Sequence, residues 1–245
     1  MHDHAAGNAF WLSTTSPMMV ELAKDFGFTR LVFDLEHGLF DQSALDLFTP
    51  FCRAMGFEVY AKVLGPNAPA IQQALDFGAD GVIIPHVEGI EHAREVTGFA
   101  KYPPLGTRSY AAGRIVTYGA PPPGFFEDSN ARIKCYPMVE SAAALADIGS
   151  IAQLPTVDGL FVGPTDLALS CGRQRYAFDD ADRAALAAIA TAARAAGKPW
   201  IMPAWTEGER RFSREHGVGW MVTLSDHGVA RGGFAGAVPA MSAEA

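Results

Sequence analysis

Short apolar runs without polar alternation recur along this chain, and each is followed by a stretch with helical spacing. Leu31-Val32-Phe33, Val59-Tyr60-Ala61, Gly81-Val82-Ile83-Ile84 and Gly159-Leu160-Phe161-Val162 are examples. A strand that is apolar on both faces has to be covered on both faces, which points to a parallel sheet with helices packed outside it. The pattern predicts strands at 9–12, 30–35, 58–63, 81–85, 133–139, 157–162, 199–203 and 220–224. It predicts helices at 17–26, 43–55, 68–77, 90–100, 142–154, 180–196 and 207–215, with a closing helix from about 225. Gly27, Gly56, Gly78 and Gly197 sit where four of these helices should stop, in the left-handed position that favours glycine. Roughly eight βα units result, so the predicted class is α/β and the predicted architecture a (β/α)8 TIM barrel spanning 1–245 as one domain. A doubly wound sheet has the same alternation and stays open on pattern alone. No Gly-x-Gly-x-x-Gly follows the first strand and no P-loop is present, which lowers the dinucleotide and nucleoside-triphosphate readings.

The 245 residues are enough for one such barrel, and 49% hydrophobic with 19% charged residues describes a globular chain. A net charge of -8 argues against nonspecific binding of nucleic acid or an anionic membrane surface. Cys52, Cys135 and Cys171 are odd in number and far apart, so neither a disulfide framework nor a zinc ribbon is expected, and a reducing cytoplasm is the simplest setting. Met1-His2-Asp3-His4 lacks the features of a signal peptide, and no apolar run approaches the ~18 residues that span a bilayer. His2 and His4 read as solvated rather than as metal ligands. One interruption stands out at 102–130, rich in Pro and Gly and carrying Arg108, Arg114, Tyr110 and Tyr118. A loop of that length in a compact domain is expected to serve function or a subunit contact.

Several strand ends carry chemistry. Phe33 runs into Asp34-Leu35-Glu36-His37-Gly38, Met138-Val139 into Glu140, and Phe161-Val162 into Gly163-Pro164-Thr165-Asp166. In parallel α/β proteins the C-terminal ends of strands hold the reactive groups. Glu140 and Asp166 suit a hard divalent cation, which takes one or two carboxylates and leaves room for water and substrate. Equally, both could cap the helices that follow them. His37 is a candidate general base, with Asp34 and Glu36 as flanking acids that orient it. Lys62 ends its strand as a cation able to meet a substrate carboxylate or an enolate, or to form a Schiff base. Asp76 ends a helix with the wrong sign for the dipole and so needs a partner, with His37 one candidate and a local turn the other. His86, Glu88 and His92 read as solvated, and Asp226 as an N-terminal partner of the closing helix. No Gly-x-Ser-x-Gly elbow supports a serine hydrolase.

Taken together and in order, these motifs resemble the HpcH/HpaI aldolase family of metal-dependent, class II pyruvate aldolases. The resemblance covers nearly the whole chain. It rests on Asp34-Leu35-Glu36-His37-Gly38; Leu75-Asp76-Phe77-Gly78-Ala79-Asp80-Gly81 with Pro85; Tyr102-Pro103-Pro104 with Gly106 and Arg108; Val139-Glu140-Ser141; and Val157-Asp158-Gly159 through Asp166-Leu167. It implies a barrel of the phosphoenolpyruvate/pyruvate-binding type, commonly a hexamer with the last helix exchanged between subunits. It implies Glu140 and Asp166 as ligands of Mg²⁺, Mn²⁺ or Co²⁺. His37 becomes the base, with Asp76 raising its basicity. The backbone at Gly163 and Thr165 contacts the keto-acid carboxylate, and Arg108 shapes the site or a subunit contact. Two departures stand out: Lys62 where the pattern usually has Arg, and Met138 where it usually has Gln. Lysine keeps the charge but not the bidentate fork, and methionine supplies none of the amide's hydrogen bonds.

The expected activity is reversible cleavage of a 4-hydroxy-2-oxo acid to pyruvate and an aldehyde through a metal-stabilised enolate. The alternatives are a related C–C lyase acting on a CoA thioester or by decarboxylation, and a catalytically weakened barrel that only binds a keto acid. The partners expected are these small molecules and further copies of the chain.

Overall fold

In the computed structural model of the protein, residues 7–242 are described, with side chains through 239. His2 and His4 lie outside the described residues. Eight parallel strands close into a barrel in chain order: β1 (Ala9–Leu12), β2 (Arg30–Asp34), β3 (Glu58–Lys62), β4 (Gly81–Ile84), β5 (Lys134–Val139), β6 (Leu160–Val162), β7 (Trp200–Pro203) and β8 (Trp220–Ser225). The barrel closes where β8 pairs with β1, Ala9 opposite Val222 and Trp11 opposite Ser225. The fold is therefore the expected (β/α)8 barrel.

Helices alternate with the strands because the sequence starts and stops them locally. Ser16, Asp41 and Asn67 accept from backbone N–H groups in the first turns of α1 (Pro17–Asp25), α2 (Gln42–Ala54) and α3 (Ala68–Asp76). Gly27, Gly56, Gly78 and Gly197 all take positive φ, which lets the chain turn back into the next strand. Buried side chains from every strand fill the barrel interior: Ala9, Val32, Tyr60, Ile83, Tyr136, Met138, Phe161, Ile201, Trp220 and Val222. Tyr60 packs at 5.6 Å from Tyr136 and 5.2 Å from Trp220, ring centre to ring centre. With the interior filled, ligand chemistry is confined to the mouths of the barrel.

Three regions differ from expectation. The predicted loop at 102–130 contains α5 (Phe125–Arg132), preceded by a single 3-10 turn at Arg114–Val116. Phe125 and Phe126 anchor that helix against Tyr102 and Tyr110. After α4 (Gly89–Gly98), the predicted helix at 142–154 is two, α6 (Ala142–Ala146) and α7 (Ile148–Gln153). The break falls at Asp147, whose carboxylate accepts from the Ile90 N–H at the start of α4. A further helix, α8 (Pro164–Ser170), precedes α9 (Asp180–Ala195), and α10 (Glu207–Glu215) lies where predicted. The closing helix α11 (Asp226–Ser242) meets the barrel at β1 and β8, and residues 227–239 are exposed along its length. Among the described residues no helix is long and apolar enough to cross a membrane.

Candidate active site at the C-terminal mouth of the barrel

Register brings the first acids together. Asp34 and Lys62 are paired positions at the ends of β2 and β3. Beyond Asp34 the chain makes a tight turn, with the Gly38 N–H donating to the Asp34 carbonyl at 3.0 Å. A side chain at Gly38 would place its Cβ 2.3 Å from that carbonyl oxygen, so only glycine allows the turn to close. Asp34 is buried and fixed by the Trp11 Nε1–H (3.3 Å) and the His37 N–H (3.1 Å).

Glu36 is the hub of the mouth. One carboxylate oxygen holds the Lys62 ammonium, and the other accepts from His86 Nε2 at 2.5 Å. Lys62 also lies 3.6 Å from Asp34, and its side chain is buried. Burial pushes the Glu36 carboxyl up, but the hydrogen bonds from Lys62 and His86 outweigh it and hold the group below its ordinary range. His37 projects outward, 68% exposed, with Nε2 3.5 Å from Glu36.

Glu140 follows β5 and is buried. Its Oε1 accepts from the His86 N–H at 2.5 Å. Burial pushes the Glu140 carboxyl above its usual range; the His86 contacts oppose this and the Asp166 charge adds to it. Gly163 packs directly against it, because a Cβ there would fall 2.6 Å from Glu140 Oε2 and 3.0 Å from Met138 Sδ. Asp166 and Thr165 stand exposed in the first turn of α8. Glu140 Oε2 and the Asp166 carboxylate have no hydrogen bond or ion pair among the described residues. Two carboxylates of like charge, one desolvated, each offering an oxygen without a direct partner among the described residues, form a donor set that fits a hard divalent cation. No cluster of three or more His, Cys, Asp or Glu side chains able to hold a metal occurs among the described residues.

Two expectations change. Asp76 does not meet His37 within one chain: α3 returns from the C-terminal mouth, so its last residue lies at the opposite end of the barrel. There Asp76 pairs with Arg108 at 2.8 Å, and the Arg108 guanidinium stacks over Tyr102 at 4.7 Å. Arg108 is accordingly remote from the mouth, as one end of that pair. His86 is exposed as expected, 56% at its side chain, and it also joins Glu36 to Glu140. The signal available was its place directly after the strand-ending Pro85, the same kind of position that singled out Glu140. Asp226 links the barrel's last and first strands by accepting from the Ser13 N–H, the Thr14 N–H and the Thr14 hydroxyl at 2.8–3.0 Å.

Known proteins resemble this chain along most of its length. Residues 8–211 match the family described as HpcH/HpaI aldolase/citrate lyase. The chain is 32% identical over 224 residues to a 5-keto-4-deoxy-D-glucarate aldolase of Enterobacter sp. (strain 638), covering 90% of this chain and 86% of that one. It is 35% identical over 163 residues to a 2-dehydro-3,6-dideoxy-6-sulfogluconate aldolase of Pseudomonas putida. That second match covers 66% of this chain and spans 64% of the relative's length. The fold superposes on the crystal structure of an HpcH/HpaI aldolase from Desulfitobacterium hafniense DCB-2 with a TM-score of 0.87, at 21% identity over 97% of this chain and 93% of that one. Matched over most of its sequence, this chain belongs to the HpcH/HpaI aldolase/citrate lyase family.

Proposed function

We propose that the protein is a divalent-metal-dependent aldolase that reversibly cleaves a 4-hydroxy-2-oxo acid to pyruvate and an aldehyde. The observation that carries this reading is the unengaged Glu140 Oε2 and Asp166 carboxylate oxygens beside the Glu36–Lys62 ion pair at one mouth. Glu140 and Asp166 would hold Mg²⁺, Mn²⁺ or Co²⁺. Such a cation supplies Lewis acidity toward the 2-oxo group. The chain's own groups do the rest. The backbone at Gly163 and Thr165 receives the keto-acid carboxylate. His37, exposed at the rim, takes the proton of the 4-hydroxyl as the C3–C4 bond breaks. Lys62 directs two contacts to Glu36 and Asp34, which leaves its third N–H for the developing enolate oxygen. His37 then gives up that proton to C3 of the enolate, which restores the base and releases pyruvate.

Oligomerisation by helix exchange belongs to the same reading. Phe234 on α11 is 73% exposed. Phe10, Met19, Leu22, Phe28 and Leu224 line an apolar groove beside the helix's start, suited to the α11 of a second copy. Asp76 could serve a His37 only across such copies. The activity is tested by pyruvate release from 4-hydroxy-2-oxovalerate, coupled to NADH oxidation by lactate dehydrogenase. The reading expects release that a chelator abolishes, Mn²⁺ restores and Glu140→Ala lacks. Release indifferent to both chelator and substitution contradicts it.

A further inference from the structure

His86 joins two sides of the mouth that, among the described residues, no other residue links by hydrogen bonds. It follows Pro85 at the end of β4, and its backbone is left-handed, with φ +58°. Residues held in that region cluster at functional sites. This conformation aims two groups at once. The N–H donates to Glu140 Oε1, and the imidazole Nε2 meets Glu36 Oε1, each at 2.5 Å; ring Nδ1 stands farther from that Glu140 oxygen, at 3.5 Å. Glu36 comes from the end of β2 and Glu140 from the end of β5, so β3 and β4 separate them around the barrel. Among the described residues only His86 hydrogen-bonds both carboxylates. The second oxygen of Glu36 holds the Lys62 ammonium, and Lys62 is buried too deeply to find another position cheaply.

We infer that His86 is a positioning residue with two separable parts: its ring braces Glu36 and through it Lys62, while its N–H braces Glu140. The inference rests on the aldolase reading, because it assigns Lys62 to the enolate and Glu140 to the cation. It also gives the Lys62 departure a physical meaning. An arginine fork could bind Glu36 and substrate with separate nitrogens. A lysine ammonium has one nitrogen for both tasks, so its direction depends on where Glu36 is held.

The two parts come apart experimentally. His86→Asn and His86→Gly both suit a left-handed backbone and keep the N–H, but neither side chain reaches Glu36. His86→Gln places an amide nitrogen near the position of Nε2. The measurements are pyruvate C3 proton exchange in D₂O with Mn²⁺, and Mn²⁺ affinity by titration calorimetry without pyruvate. Exchange at saturating pyruvate should fall ~10- to 100-fold in the Asn and Gly variants, the scale of a misplaced catalytic group. Mn²⁺ affinity should stay within about threefold of wild type, because the N–H on Glu140 survives. The Gln variant should recover most of the rate. Wild-type exchange in the Asn and Gly variants overturns the inference. So does a loss of Mn²⁺ affinity that accounts for the whole loss of rate, since the ring's longer contact with Glu140, and not its hold on Glu36, would then carry the effect. Absence of exchange in the wild type contradicts the aldolase reading instead. A crystal structure of His86→Asn then still tests the brace, which expects Lys62 Nζ displaced and Glu140 in place; an unmoved Lys62 overturns it.

Discussion

Gly163→Ala tests how tightly the mouth is built. The added methyl would sit 2.6 Å from Glu140 Oε2, 2.7 Å from Glu140 Cβ and 3.0 Å from Met138 Sδ. Ordinary contact begins near 3.4 Å, so the carboxylate has to retreat by about 0.8 Å. It has little room to do so, because Glu140 is buried and its other oxygen is held by the His86 N–H. Overpacking of this kind costs ~1–3 kcal/mol. At about 2 kcal/mol, a protein of this size should melt ~4–8 °C lower. The effect on chemistry should be larger, because a displacement near 1 Å at a reacting centre costs on the order of 100-fold in rate. Scanning calorimetry and pyruvate release read the two effects separately. Gly149→Ala is the control: its Cβ meets nothing within 4 Å, and it lies inside α7. It should leave the rate unchanged and stabilise the protein by about 0.5–1 kcal/mol. A Gly163→Ala variant with wild-type rate and melting temperature refutes the close packing of Glu140 on Gly163.

Other consequences follow from groups around the barrel. Asp226→Ala removes an acceptor shared by Ser13 and Thr14, and calorimetry should show a loss of about 3 kcal/mol from stranded buried donors. Thiol labelling at neutral pH should quickly consume one cysteine, Cys171, because Cys52 and Cys135 are buried and burial pushes the Cys52 thiol up to about 12. Lys62→Met leaves the partly buried Glu36 with only the two histidines His86 and His37 beside it. Glu36 has a lowered pKa in the folded wild type, so its pairing stabilises above the ordinary value of 4.5 and is lost as pH falls through the folded value. The stability gap between wild type and Lys62→Met, from urea melts, should therefore be widest near neutrality and narrow below pH 4.5.

The barrel was legible because its strands are apolar on both faces and its helices carry their own caps and glycine stops. The acid-rich turn after β2 and the carboxylates after β5 and β6 were legible because parallel strands deliver their C-terminal ends to one mouth. What escaped had physical reasons. The position of His86 after Pro85 marked a strand end, but nothing in the sequence announces the left-handed backbone that turns it onto both Glu36 and Glu140. The helix Phe125–Arg132 was hidden among prolines and glycines, although Glu127 and Asp128 stand in its first turn as helix starts prefer. That Asp76 stands far from the His37 of its own chain was legible too. A residue that ends a helix just before the next strand lies at the N-terminal mouth, opposite the strand-end acids.

The central claim is that Glu140 and Asp166 hold a divalent cation where pyruvate forms its enolate. Pyruvate C3 proton exchange in D₂O, followed by NMR, tests this most directly, since it needs neither the aldehyde nor its identity. The account predicts no exchange by metal-free protein, exchange on adding Mg²⁺, Mn²⁺ or Co²⁺, and loss of that exchange in Glu140→Ala. Metal-free exchange that survives Glu140→Ala, or no exchange by protein that demonstrably binds the cation, contradicts it.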